Sequence, residues 1–123
     1  MLRKPAVAGR FYPADQKTLQ SDLTGYLGTV RADVSARGAI VPHAGYMYSG
    51  HVAGAVYSRL RIPARIILLC PNHTGLGASL SIMSEGSWEM PLGRVPIDTV
   101  LARSLARHCH LLTEDASAHQ FEH

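Results

Sequence analysis

Two histidines stand where an α/β protein does its chemistry. His43 follows the short run Gly38-Ala39-Ile40-Val41-Pro42, and His73 follows Ile66-Ile67-Leu68-Leu69-Cys70 by way of Pro71 and Asn72. Both runs are apolar at consecutive positions, as expected of parallel strands covered on both faces. In open α/β sheets, ligands bind beyond the carboxyl ends of the strands. Neighbouring strands lie about 4.8 Å apart, so two imidazoles on that edge could converge on one metal ion at about 2.1 Å each. Asn72 and Thr74 could orient a ligating ring by hydrogen bonds. Tyr46 and Tyr48 could wall a pocket or offer a phenol to a bound molecule. The same residues also fit two exposed loop histidines with capping roles, because two imidazoles are not a complete site.

A second constellation lies at residues 119–123, where His119-Gln120-Phe121-Glu122-His123 fits H-x-x-E-H. On a helix His119 and His123 would share a face at i, i+4, the zinc arrangement of the inverzincin peptidases, with Glu122 as general base. Three fixed positions in five arise easily in a chain with seven histidines, and the distal ligand would lie beyond residue 123. His123 could instead approach the His43/His73 edge and serve there as a catalytic proton donor or acceptor. Cys70 ends an apolar strand, where burial keeps a thiol protonated and inert. Arg59, Arg61 and Arg65 surround a helix end, where they could meet an anion or form a solvated face assisting the helix dipole.

The elements that must carry these residues follow from capping and periodicity. Asp15 caps a first helix with Leu19, Leu23, Tyr26 and Leu27 on one face, and Gly28 stops it. Ser49 caps a second, with Val52, Val56 and Leu60 in line and Pro63 ending it. Strands at 38–42 and 65–70 around that helix make a βαβ unit, whose crossover is almost always right-handed. Ser79 to Ser84 alternates as a third strand with one wet face. Trp88 and the turn Pro91-Leu92-Gly93 lead to an extended piece at Val95 and Ile97. Asp98 caps a helix with Leu101, Ala102 and Leu105 inward and His108 and His110 at its end. Leu111-Leu112 read as a short strand and residues 116–123 as a helical turn. Before all of these, Phe11 and Tyr12, bracketed by Gly9 and Pro13, form an ordered arm over the core edge. With no repeat and no linker, residues 1–123 read as a single domain. The fold class is α/β, a mostly parallel sheet with helices on both faces.

Composition narrows the function classes. The chain has 123 residues, of which 46% are hydrophobic, as in a globular domain with a core. A net charge of +3, with ten of twelve basic residues Arg, is too small an excess to argue for nucleic acid. Cys70 and Cys109 form no C-x-x-C pair, which points to a reduced intracellular protein. No apolar run is long enough to span a membrane. No apolar stretch follows Arg3 and Lys4, so no signal peptide is expected and the expected location is cytoplasmic.

Five segments occur in one order: Ala8-Gly9-Arg10-Phe11-Tyr12-Pro13; Pro42-His43-Ala44-Gly45-Tyr46-Met47-Tyr48-Ser49-Gly50; Pro71-Asn72-His73-Thr74-Gly75; Trp88 with Pro91-Leu92-Gly93; and Ala118-His119 with Glu122-His123. Together they resemble the Memo-like family, also called AmmeMemoRadiSam system protein B, over nearly the whole chain. The resemblance implies a fold similar to the class III extradiol dioxygenases, which use non-haem iron. It implies that His43 and His73 match two metal ligands of a mononuclear site, with iron(II) as cofactor and copper the alternative, and that an ancestral substrate would be a small aromatic diol. Family members are longer. This chain stops within the Glu-His motif, and Cys70 stands where the family has Gly. The resemblance therefore implies an N-terminal portion, an incomplete sheet with exposed edges and a third ligand beyond residue 123; an exposed edge would invite association into a homo-oligomer, and the sequence leaves the oligomeric state open. Two other function classes stand beside the dioxygenase-like enzyme. One is a non-catalytic module that binds metal or a small-molecule or peptide ligand in the same cleft; the other is the zinc peptidase of residues 119–123.

Overall fold

Asp15 accepts a hydrogen bond from Thr18 N at 2.8 Å and starts α1 (Gln16–Leu27), and Gly28, at φ 55°, closes it by donating to Thr24 O. The cap and the stop are those the sequence predicts. The computed structural model describes residues 1–123, which form two compact units, one of Val7–Ile66 and one of Met1–Ala6 with Ile67–His123.

In the unit Val7–Ile66, α1 packs on α2 (Tyr46–Tyr57). The contact is made through small residues. A Cβ on Gly54 would lie 2.2 Å from Tyr26 O, and one on Gly50 would lie 2.9 Å from the Tyr26 ring. Glycine inside a helix costs about 1 kcal/mol relative to alanine; here it lets the helix come down onto the Tyr26 backbone. The Tyr26 ring meets Tyr46 edge-on at 6.2 Å and His51 at 4.9 Å, while Tyr12 lies 5.4 Å from Tyr46. The aromatic arm folds back on itself, with Phe11 N on Val7 O, and Phe11 O receives Tyr46 N at 2.7 Å.

Two expectations for α2 are corrected. The helix starts after Gly45 rather than at Ser49, which lies inside it with Oγ donating to Ala44 O at 2.7 Å. It ends at Tyr57, before Pro63, because the Ser58 carbonyl turns to accept Arg31 N and Ala32 N. Its packed face is Ser49, Gly50 and Gly54, not the predicted stripe, from which Val52 is exposed.

The second unit holds β1 (Leu2–Arg3), β2 (Ser81–Ile82), β3 (Ser87–Met90), β4 (Gly93–Pro96), α3 (Thr99–His108), β5 (Thr113–Glu114) and α4 (Ser117–Gln120). A three-stranded sheet runs in the order β1-β3-β4, with β1 parallel and β4 antiparallel to β3. Strands β2 and β5 form a separate parallel pair. The fold is α/β, and two of its three ladders are parallel. β1 docks where Ser87 N donates to Met1 O at 3.0 Å. Gly86 permits the approach: at φ 107°, a Cβ there would lie 2.2 Å from Met1 O. Asp98 caps α3 by accepting from Leu101 N, as expected, and Ala102 faces the core with Met83 and Ala118.

The apolar runs at 38–42 and 65–70 are not strands; both lack regular structure. Ile40 is 98% exposed and Leu69 87%. A parallel strand exists only as part of a ladder that satisfies its N–H and C=O groups. No ladder reaches these runs, so the composition of a buried strand is present without its pairing. The predicted strand at 79–84 shrinks to Ser81–Ile82, and the one at Leu111-Leu112 moves to Thr113–Glu114, where it finds its partner.

Candidate metal centre

The loop after Cys70 is built around one amide. Asn72 Oδ1 accepts from Gly75 N at 2.9 Å and from Thr74 Oγ1 at 3.1 Å, and Nδ2 donates to Leu76 O at 2.8 Å. This side-chain-closed turn, with Gly75 at φ 70°, presents His73 from its crest. The structure thus uses Asn72 and Thr74 to shape the loop itself.

His73 meets the chain after α4. Glu122, only 5% exposed, accepts from His73 N through Oε2 at 2.7 Å, and its Oε1 lies 2.7 Å from His73 Nδ1. The same Oε1 lies 3.1 Å from His123 Nδ1 and accepts from His123 N at 3.0 Å. The two rings are 4.3 Å apart between centroids and tilted by 35°. Arg3 fixes the segment that carries Glu122. Its Nε donates to His119 O at 2.7 Å, an Nη donates to Glu122 O, and its guanidinium covers the Trp88 ring at 4.4 Å. Pairing of β1 with β3 places Arg3 on Trp88, Arg3 holds the end of α4, and Glu122 then gathers the two histidines.

The electrostatics follow from this packing. Desolvation pushes the Glu122 carboxyl up, but the N–H groups of His123 and His73 and the His73 ring outweigh it and bring the group down to about 2. Glu122 is therefore a buried carboxylate at every physiological pH. His119 is held below its ordinary value, first by burial and then by Arg3, against the pull of Asp115, Glu114 and Glu122. Its Nε2 is buried without a hydrogen-bond partner, and its ring lies 6.2 Å from Trp88. Cys70 is an exposed residue, yet partial desolvation of its sulfur, and then the Glu122 charge, push the thiol up.

His43 lies in the unit Val7–Ile66, exposed, two residues before Gly45, the cap of α2. Tyr46 is half-buried in the first turn of α2; burial, then Tyr12 and Tyr57, push its phenol up. Tyr48 is exposed. The structure thus brings His73 and His123 together around Glu122, and Tyr46 together with Tyr12 and Tyr26. It does not group His119 with His123 on a helix face. α4 ends at Gln120 and the His119 ring turns to Trp88, so H-x-x-E-H here lacks the helix that a zinc peptidase motif requires. Sequence reasoning placed Glu122 only as that peptidase's base and missed it as acceptor for two histidines. Its adjacency to His123 was the available signal. For Arg3, whose contacts span more than a hundred residues, there was none.

The residues present fit a metal ion. Imidazole suits iron, copper and zinc. Two nitrogens about 2.1 Å from one ion lie at most about 4.2 Å apart, and His73 and His123 offer nitrogens within 4.8 Å of each other, so little closure is needed.

Site and fold together define an α/β protein with a carboxylate-anchored histidine pair. The profile of the Memo-like protein family matches residues 3–123. A MEMO1 family protein of Methanothermobacter thermautotrophicus is 42% identical over 135 residues, covering 100% of this chain and 49% of the relative. One of Aquifex aeolicus is 42% identical over 123 residues, covering 99% and 46%, and one of Thermococcus kodakarensis is 38% identical over 128 residues, covering 100% and 44%. The chain belongs to the Memo-like family, and it spans about half the length of these curated relatives. No helix is long and apolar enough to cross a membrane.

Proposed function

We propose that the chain carries the histidine face of a mononuclear non-haem metal centre, in which His73 and His123 offer imidazole nitrogens to one ion. Iron(II) is the metal of this reading and copper its alternative. The observation that carries it is the pair of rings 4.3 Å apart with both Nδ1 atoms at one buried carboxylate oxygen. In this reading His123, whose ring lies 4.3 Å from that of His73, serves as a co-ligand. When bound, iron(II) supplies a redox-active Lewis acid with positions open to oxygen and a small diol substrate. The chain's own part is to hold the rings: Glu122 anchors His73 and His123, and the Asn72 turn fixes the loop that carries His73. Dioxygenase-like oxidation by the whole protein belongs to this proposal.

Anaerobic titration with iron(II), then copper, tests it on the chain and on His73→Ala and His123→Ala variants. Each substitution is expected to weaken binding at least tenfold. Binding indifferent to both of them overturns the metal centre.

One observation favours a second reading, a module that binds a peptide without turnover. β1 is an edge strand, and a groove of about 620 Å³ lined by Arg3, Lys4, Pro5, Met83, Gln120 and Phe121 runs beside it, as strand addition requires. Oxygen consumption by the iron-loaded protein separates the two, since a peptide module consumes none.

A further inference from the structure

Glu122 does more than fill space beneath the histidines. We infer that it is a positioning residue that holds His73 as the Nδ1–H tautomer and draws His123 into the same state, so that each ring keeps its lone pair on Nε2. The inference rests on the metal reading for its purpose, though not for its geometry. A carboxylate is acceptor-only. Oε1 stands 2.7 Å from His73 Nδ1, so the neutral ring must carry its proton on Nδ1, and Nε2 is left with the lone pair a metal needs. Rotation of the carboxylate is blocked, because Oε2 is taken by His73 N at 2.7 Å. The ring and the backbone of His73 are therefore clamped by the two oxygens of one group. His123 meets Oε1 through both its N–H, at 3.0 Å, and its Nδ1, at 3.1 Å. The Glu122 backbone is fixed in turn by Arg3 on its carbonyl. A carboxylate that takes the second N–H of a ligating histidine fixes ring orientation and raises ligand basicity, and its loss costs about 10–100-fold in metal affinity.

The test reads tautomers without any metal. Long-range proton–nitrogen correlation spectra of the metal-free, nitrogen-15-labelled chain at pH 8 identify which nitrogen of each imidazole is protonated. His73→Ala and His123→Ala spectra assign the peaks. The wild type is expected to show Nδ1–H at His73 and His123. In Glu122→Ala, and more mildly in Glu122→Gln, both rings are expected to move toward Nε2–H, the preferred form of an unconstrained imidazole. Cobalt(II) binding, followed by its absorption, is expected to weaken 10–100-fold in the same variants. A wild-type His73 already in the Nε2–H form overturns the inference even if neither variant folds. So does retention of Nδ1–H at His73 in both folded variants. If instead the tautomers shift as expected while His73→Ala leaves cobalt binding unchanged, the metal reading fails and the clamp stands.

Discussion

The two units of this molecule are packed internally by different physics. In Val7–Ile66 the helices α1 and α2 meet through absence: two glycines open a slot for the Tyr26 backbone and ring, and aromatic edges close around it. In the unit of Met1–Ala6 with Ile67–His123, the packing is polar and long-range. Arg3 bonds carbonyls at His119 and Glu122, Glu122 bonds His73 and His123, and Asp115 bonds Ala78 N and Ser117 N. The first kind of contact is non-directional and tolerates loss of a partner's polar atom. The second is directional, and a group left unpaired in it costs the full desolvation of its partners. A chemical site needs fixed atoms, and the histidine pair sits in the directional unit.

The comparison breaks most visibly at Arg3. Arg3→Met keeps the aliphatic stem over Trp88 but removes the charge and both carbonyl bonds. Hydrogen bonds to charged groups are worth about 1.5–3 kcal/mol and a cation over an aromatic face about 0.5–2 kcal/mol, so a loss of about 3 kcal/mol is expected. Hydrogen exchange should show it in the amides of α4 and of His73 and spare those of α1 and α2; equal acceleration everywhere would mean that the polar chain is not local to its unit. Gly54→Ala is the corresponding cut in the other unit. Its Cβ would meet Tyr26 O at 2.2 Å, an overpacking cost of about 1–3 kcal/mol set against about 1 kcal/mol of helix propensity gained. A net loss of up to about 2 kcal/mol by urea unfolding is expected. Gly25→Ala, where a Cβ meets nothing within 4 Å, should stabilise α1 instead, and the sign difference between the two glycines is the measurement.

What the sequence made legible follows the same division. Asp15, Gly28 and Asp98 act within three or four residues of themselves, so their roles in α1 and α3 could be read directly. The resemblance carried by ordered motifs also held, because family membership is a property of the residues and not of their pairing. The strands at 38–42 and 65–70 could not be read correctly, since an apolar run states only that it would be covered if paired. Ser49 was misplaced because a serine can cap a helix or bond back within one, and the choice is made by Gly45 and by Phe11 reaching Tyr46 N. Of the site, His73 was visible as a type at a spacing. Its clamp by Glu122 depends on contacts between residues 49 apart, which no local pattern encodes.

Smaller effects sharpen the contrast. His119 is held below its ordinary value by burial and by Arg3, so the unfolded chain binds a proton more readily than the folded one. Its contribution to stability is complete above the unfolded value near 6.5 and is lost as pH falls below it. Trp88, the single tryptophan, reports this directly. Urea midpoints followed by its fluorescence should fall from pH 7.5 to 5.5, and His119→Gln should flatten that fall. Parallel slopes in both proteins would place the sensitivity on another histidine.

The least effect is expected from an exposed ion pair that joins loop and helix end in Val7–Ile66. Arg59 meets Asp33 at 3.2 Å, but both side chains are about half exposed. Water screens the attraction, and ordering a long side chain offsets much of it, so such pairs contribute about 0–1 kcal/mol. The turn there is already fixed by backbone bonds, Val34 N to Arg59 O at 2.9 Å and Arg61 N to Val34 O at 2.8 Å. Arg59→Ala should therefore move the urea midpoint by less than a tenth of the total, and added salt should erase even that. The Asp33 carboxyl, which its hydrogen bond to Arg59 holds below the usual range, should return to an ordinary value in the variant by carbon-detected titration. A stability loss above about 1 kcal/mol would show that charge, and not only shape, holds the helical unit, and the division drawn between the two units would then be one of degree.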